Sequence, residues 1–176
     1  LLVGGSGFLG AWVARFLHIN QCLARIFDPN KPDSEWHRLS GIRADAAEWV
    51  AGDVSKKSEL DDAIRDCEGV INLAGLLTPE CSQNPVRGAE VNLIGTINVF
   101  EGALKHSLKK VAYTSSIGVY GPDHAEFPEP TTHYGSFKLA SEGVARAFYE
   151  ELGISSLGVR PFVVYGPGRE IGGSAG

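Results

Sequence analysis

The chain contains no methionine, only three cysteines and no block of basic residues. Cys22, Cys67 and Cys81 are odd in number and lack the close pairs of a zinc site, so neither a disulfide framework nor a structural metal follows from them. Small buried hydrophobes, reduced in a cytoplasm, are the expectation. The formal net charge of -5 has no basic cluster set against it, which argues against a nucleic-acid track or an anionic membrane surface as partner. No apolar run approaches the roughly 20 residues of a spanning helix, and no basic stretch followed by an apolar core opens the chain. Neither a membrane span nor export is expected. An initiator Met is missing too, and Leu1-Leu2-Val3 is short for a complete first strand. Gly172 to Gly176 reads as a flexible tail with no element after it. Both ends therefore read as cuts within a longer protein.

What is present is 176 residues with 43% hydrophobic content, enough for one sizeable core and suited to one domain rather than two. Apolar Leu1 to Val3, glycine-rich Gly4 to Gly10 and helically spaced Phe8 to Leu17 read as strand, tight loop and helix. Further strands are predicted at Ala24 to Phe27, Glu48 to Ala51, Val70 to Ala74, Lys110 to Thr114 and Ile154 to Arg160. Between them, Ser58 with Asp61 resembles a capping box for a short helix with Leu60, Ala63, Ile64 and Cys67 on one face. Pro85 suits the first turn of a long helix reaching about Lys105. Tyr134 opens a helix in which Phe137, Val144 and Phe148 share a face, and Gly153 ends it. The alternation implies an α/β fold, a doubly wound parallel sheet of Rossmann type, with ligands at the carboxyl ends of its strands. No internal repeat and no long low-complexity segment interrupts it.

Gly4, Gly7 and Gly10 follow a strand and open a helix, where backbone amides can approach a pyrophosphate with no Cβ in the way and the helix N-terminus favours negative charge. Asp28 ends the next strand about 20 residues later, placed to accept hydrogen bonds from adenosine ribose hydroxyls and to repel a 2'-phosphate. That favours NAD over NADP, although Arg25 and Lys31 lie near in sequence. The plainer alternative is that Asp28, before Pro29 and Asn30, starts a turn. Asp53 after the third strand carries the same ambiguity.

Tyr134 and Lys138 are four apart at the start of a helix, so both project from one face. A neighbouring ammonium and a cationic nicotinamide would stabilise a phenolate at Tyr134, which could then exchange a proton with a substrate hydroxyl. Ser116, or Ser115 as the second choice, lies just past the preceding strand and could hydrogen-bond the reacting oxygen. His133 admits a proton relay, but a loop histidine before a helix is more often only that. His18, His37, His106 and His124 show no metal-ligand spacing, and Glu126 with Glu129 reads as a solvated loop.

Several motifs in one order carry a resemblance. They are Gly4-Gly5-Ser6-Gly7-Phe8-Leu9-Gly10; Asn72-Leu73-Ala74-Gly75; Asn92-Leu93-Ile94-Gly95-Thr96-Ile97-Asn98; Ser115-Ser116-Ile117-Gly118-Val119-Tyr120-Gly121; Tyr134 with Lys138; and Arg160-Pro161-Phe162-Val163-Val164-Tyr165-Gly166-Pro167-Gly168. Together they resemble the extended short-chain dehydrogenase/reductases, the NAD-dependent epimerase/dehydratase group, across almost the whole chain. The resemblance implies that Gly4, Gly7, Phe8, Leu9, Gly10 and Asp28 bind NAD, and that Asp53 with the Val54 backbone contacts the adenine amino group. It implies that Leu73, Ala74 and Gly75 line the cofactor channel, with Ser115 also in contact, and that Asn92 sits behind the active site. Lys138 would donate to the nicotinamide ribose, and the backbone from Pro161 to Val163 would face the nicotinamide.

Departures narrow the subclass. Sugar-nucleotide dehydratases of the group carry an Asp-Glu pair directly after the catalytic hydroxyl residue, and here Ile117 and Gly118 stand there, which argues against a dehydratase. The segment between Tyr120 and Tyr134 is shorter than in many sugar-nucleotide epimerases, and Asn72 stands where His is common. The leading expectation is an NAD-dependent epimerase of a sugar or nucleotide-sugar hydroxyl, working through a transient keto intermediate. A dehydrogenase or reductase using the same Tyr134, Lys138 and Ser116 is the alternative. A non-catalytic dinucleotide-sensing module is a third, against which those three intact residues argue. The resemblance further implies a dinucleotide-binding domain over 1–168, a tail over 169–176 leading to a substrate domain outside the chain, and a homodimer packed through helices around Asn92 and Ala145.

Overall fold

The computed structural model describes residues 1–122 and 126–169. Six apolar segments form parallel strands: β1 (Leu2–Val3), β2 (Arg25–Phe27), β3 (Glu48–Val50), β4 (Gly69–Asn72), β5 (Lys110–Thr114) and β6 (Ser156–Val159). They make one sheet in the order β3-β2-β1-β4-β5-β6. Leu2 stands level with Ile26 on one side and Ile71 on the other, so the direction of winding reverses between β1 and β4. In such a sheet the crevice at the carboxyl ends of those two strands is the place for a ligand.

Alternation along the strands feeds two layers. Leu2 and Ile26 point to one face, where they pack with Ala11, Ala14, Trp36 and Leu39 from helices α1 (Phe8–Ile19) and α2 (Ser34–Ser40). Their neighbours Val3 and Phe27 point to the other, among Leu60 and Ile64 of α3 (Lys57–Ile64) and Val99, Phe100 and Ala103 of α6 (Gly95–Lys105). Each such fully buried aliphatic or aromatic side chain contributes about 1.5 to 3 kcal/mol. Between these helices lie α4 (Thr78–Gln83) and α5 (Pro85–Ala89), and α7 (His133–Leu152) closes the second layer beside β5 and β6. Helix α7 starts at Thr132, whose hydroxyl accepts the Gly135 amide, and ends at Gly153 with φ of 71°, a left-handed stop suited to glycine.

The structure departs from the sequence reading in three places. Ser58 is not a cap: α3 begins at Lys57, two residues before the start a Ser58 cap would give, placing Ser58 inside the first turn, and Lys56 at the cap makes no side-chain bond. Glu59 instead accepts the Asp53 amide at 2.9 Å. The helix expected from Pro85 to Lys105 is continuous but contains a π-helical turn over Glu90–Ile94. Helices α2 and α4 were not expected; α2 is started by the Asp33 carboxylate accepting the Trp36 amide and stopped by left-handed Gly41. His124 and the tail over 170–176 lie outside the described residues. Among those described, no helix is long and apolar enough to cross a membrane, and no three His, Cys, Asp or Glu side chains group as metal ligands.

Candidate active site

The parallel sheet brings the segments following all six strands to one edge. After β1, the loop from Gly4 to Gly7 turns directly into α1. A Cβ on Gly10 would stand 2.1 Å from the Gly5 carbonyl oxygen, so only glycine lets the helix sit this close to the loop. Gly4 has φ of 70°, and a Cβ there would reach 2.5 Å from the Ala74 amide nitrogen. Gly7, by contrast, faces open space. It caps α1 without a side chain, and the first turn, which holds Phe8 and Leu9, carries no acidic residue. The amides there remain open to an anion. Trp36 supports the loop from α2, its indole donating to the Gly5 carbonyl at 2.7 Å.

Asp28 is buried at the end of β2, and its carboxylate accepts the Ser6 amide at 3.1 Å and the Asn30 amide at 2.9 Å. The turn reading of this residue therefore holds, and the turn fixes a carboxylate beside the glycine loop. Arg25 faces elsewhere, bonded to Glu48 at 2.6 Å and to the carbonyls of Ala63 and Arg65 at 2.8 Å. Asp53 is engaged by Arg87 at 2.5 Å and by the Ser55 amide and hydroxyl. Burial pushes the Asp53 carboxyl up, but the Ser55 and Arg87 bonds outweigh it and hold it below its ordinary range. The Val54 side chain belongs to the core and its carbonyl accepts Asn98 at 2.9 Å.

After β4, Leu73 bonds back to β1 through its amide, and the Asn72 side chain accepts the Ala74 amide. A Cβ on Gly75 would stand 2.8 Å from Asn92 Oδ1 and 3.2 Å from Lys138 Nζ, so Gly75 closes over both. Asn92 sits in the π-helical turn, fully buried, donating to the carbonyls of Leu76 at 3.1 Å and Gly88 at 3.0 Å. Its backbone carbonyl takes the hydroxyls of Thr96 and Ser141. Its Oδ1 is a buried oxygen that no donor among the described residues reaches.

Ser115 and Ser116 follow β5 and diverge. Ser115 donates to Glu142 at 2.5 Å and is buried, whereas Ser116 accepts the Gly118 amide at 3.0 Å and lies with the Tyr134 ring against Gly118. Of the two serines it is thus Ser116 that the fold brings to Tyr134. Lys138 Nζ lies 5.8 Å from the centre of the Tyr134 ring and donates to the Thr114 carbonyl at 2.9 Å. Burial lowers the Lys138 amine to about 8, with the Cys81 thiol pulling slightly the other way. Burial raises the Tyr134 phenol, opposed by the Ser116 hydroxyl. His133 stacks on Phe137, with ring centres 6.3 Å apart.

Beyond β6, Pro161 accepts the Ile117 amide through its carbonyl, and Val163 is half exposed. The chain then crosses the carboxyl edge towards α1. Trp12 donates to the Pro167 carbonyl at 3.2 Å, and the Arg169 guanidinium lies 5.9 Å from the Phe8 ring centre. Sequence reading missed Trp36, Arg87, Cys81, Glu142 and the Arg160 side chain. Each acts across a long stretch of chain, and local spacing carries no signal for such pairs.

Similarity to known proteins points the same way. The model of the NAD dependent epimerase/dehydratase family matches residues 1–175. A putative UDP-glucose 4-epimerase of Methanocaldococcus jannaschii is 31% identical over 100% of this chain and 59% of its own length. Human 3 beta-hydroxysteroid dehydrogenase type 7 is 29% identical over 97% of this chain and 51% of its own. The crystal structure of the Thermotoga maritima UDP-glucose 4-epimerase with UDP-glucose superposes with a TM-score of 0.88 at 25% identity, covering 99% of this chain and 59% of that one. The chain thus spans little more than half the length of these relatives.

Proposed function

Because the chain belongs to the NAD dependent epimerase/dehydratase family, we propose that it is the cofactor-binding and catalytic part of an NAD-dependent epimerase acting on a nucleotide-linked sugar. The observation that carries this reading is the pairing of Ser116 with Tyr134 above a buried Lys138, at the same sheet edge as the open glycine loop. The loop fits a dinucleotide: Gly7 opens onto free space, the first amides of α1 are uncapped, and Asp28 is fixed beside them. Gly4, Gly7, Phe8, Leu9 and Gly10 would hold the pyrophosphate, and Asp28 the adenosine ribose. Asp53 and Val54 would flank the adenine, while Leu73, Ala74 and Gly75 would line the channel. Asn92 and Ser115 act behind it, and Pro161 to Val163 cover the nicotinamide end. NAD is favoured over NADP because Asp28 would repel a 2'-phosphate and Arg25 is bonded away from it.

NAD supplies a hydride acceptor, which no side chain can replace. The chain supplies the proton chemistry. Tyr134 Oη takes the proton of the substrate hydroxyl, held in place by Ser116 Oγ, and returns it when the hydroxyl re-forms. Lys138 keeps a positive charge near Tyr134: with its amine at about 8 it remains mostly protonated at neutral pH, and a phenolate on the ring whose centre lies 5.8 Å away would favour that form further. Thr114 fixes the Lys138 amine from below. The missing Asp-Glu pair after Ser116 leaves no acid to drive an elimination.

The remaining parts of the reading concern the whole protein. A smaller domain following residue 168 would hold the sugar nucleotide, consistent with the relatives' greater length and with exposed Phe162 and Tyr165 at the sheet edge. A homodimer would use the outer faces of the long helices, where Ile94 and Leu104 are exposed, and the setting would be the cytoplasm. The test is to incubate full-length protein with NAD and UDP-glucose and follow both the sugar and free NADH. Epimerised product without accumulating NADH supports the proposal. NADH released in step with turnover would make the protein a dehydrogenase.

A further inference from the structure

Around Ser116 lies a side-chain cluster that the proposed reaction does not use. Glu142 is on α7, one turn after Lys138 and two after Tyr134. Its carboxylate accepts Ser115 Oγ at 2.5 Å, Arg160 Nε at 2.7 Å and Arg160 Nη2 at 2.6 Å. The remaining arm of Arg160 donates to the Tyr120 hydroxyl, and its guanidinium lies 5.0 Å from the centre of that ring. Burial pushes the Glu142 carboxyl up, yet the bonds from Arg160 and Ser115 outweigh it and hold it below the ordinary carboxylate range. A two-pronged Arg–carboxylate pair of this kind fixes orientation as well as distance.

We propose that Glu142 is a positioning residue: through Ser115 and Arg160 it sets the distance between the end of β5 and helix α7, and so holds Ser116 against Tyr134. The proposal rests on the reading of Ser116 and Tyr134 as the reacting pair. Ser116 follows the sheet strand β5 and Tyr134 lies on the helix, so their contact depends on how the two layers are joined. Gly135 of α7 packs closely on the Gly118 carbonyl, but among the described residues no backbone hydrogen bond joins the two segments. The Ser115 amide bonds to the Val159 carbonyl and the Ile117 amide to the Pro161 carbonyl, both towards β6 and its continuation. That strand is the sheet's edge, with Leu157 and Val159 exposed, and it gives little support from outside. Across the layers run the Lys138 bond to the Thr114 carbonyl and, one residue and one turn further on, the Glu142 bond to Ser115. Lys138 lies beside the Tyr134 ring and has a part in the proposed proton transfer, which leaves Glu142 to act as a tie alone. Arg160 extends that tie to Tyr120, which follows the short turn Ile117–Val119, so the residues on both sides of Ser116 are held from α7.

The readout is the titration of Tyr134 itself in the full-length protein, followed by an isotope label at tyrosine Cζ and assigned by its loss in Tyr134→Phe. Removing the Ser116 hydroxyl with Ser116→Ala raises the Tyr134 midpoint by about one pH unit. Glu142→Gln keeps the volume but loses the charge, and is expected to raise the midpoint by a comparable amount, with no further rise when combined with Ser116→Ala. Arg160→Lys, which retains charge but not the fork, shifts it in the same direction and serves if Glu142→Gln does not fold. A Tyr134 midpoint that moves with Ser116→Ala but stays fixed in Glu142→Gln and Arg160→Lys overturns the proposal, as does full additivity in the double variant. The titration needs neither substrate nor turnover. Absence of epimerase activity would therefore contradict the proposed function while leaving Glu142 to be judged on Tyr134 alone.

Discussion

The two halves of this site are built by opposite means. The β1–β2 half is shaped by what its side chains leave out: Gly4 and Gly10 allow backbone contacts that any Cβ would break, and Gly7 opens onto free space. The β5–α7 half is shaped by ionisable groups, buried Lys138 and partly buried Glu142, each tied to a named partner. One half should be intolerant of a single added methyl and lose little stability when a charge changes. The other should tolerate small changes of volume and fail when a charge changes.

The largest effect is expected at the reacting group. Tyr134→Phe should lower turnover of UDP-glucose by about 10²- to 10⁴-fold, with NAD affinity in a binding titration changed by less than about threefold. A matching loss of NAD affinity would mean that the two halves are not separable. Next in size is Gly10→Ala, where the new methyl collides with the Gly5 carbonyl. Denaturant unfolding should show a loss of roughly 2 to 4 kcal/mol, and NAD binding should weaken at least tenfold. Wild-type stability in this variant would remove the basis for calling the first half sterically built.

Lys138 sharpens the comparison from the other side. Its amine lies at about 8 in the fold against an ordinary 10.5, so keeping it charged costs stability at neutral pH, on the order of 3 kcal/mol. The cost is full below about pH 8 and is relieved as the pH rises towards 10.5, because over that range the unfolded chain binds the extra proton. Lys138→Met should therefore be more stable than wild type at pH 7 by roughly 1 to 3 kcal/mol, with the gain shrinking towards pH 10, while turnover is lost. Melting curves at the two pH values check the sign. The smallest effect belongs to Asp28, the charged residue of the first half. Asp28→Asn should reduce NAD affinity about tenfold and narrow the preference over NADP, with little change in stability.

How far this was legible in the sequence divides along the same line. The glycine loop, Asp28 and the Tyr134–Lys138 pair are short-range patterns: spacing places them on a loop, a strand end and a helix face without knowledge of the rest. The π-helical turn at Glu90–Ile94 was invisible because one extra residue per turn barely disturbs an apolar helical pattern. The Asp53–Arg87 and Glu142–Arg160 pairs join residues 34 and 18 apart, and their existence follows from packing of the sheet against its helices. Sequence spacing favoured Ser116 over its neighbour Ser115 without showing where either points. The pleat of β5 sends one to Glu142 and the other to Tyr134, and only the register of the strand decides which. Ser58 failed as a cap because a helix start two residues earlier than a Ser58 cap requires moves its hydroxyl away from the free amides.

The most direct test of the account is the binding of NAD and NADP to purified full-length protein, with assay for cofactor retained through purification. Retained NAD and a clear preference for NAD over NADP are what an Asp28-fixed ribose site and a recycled hydride predict. A preference for NADP, or a protein that binds neither, would contradict it.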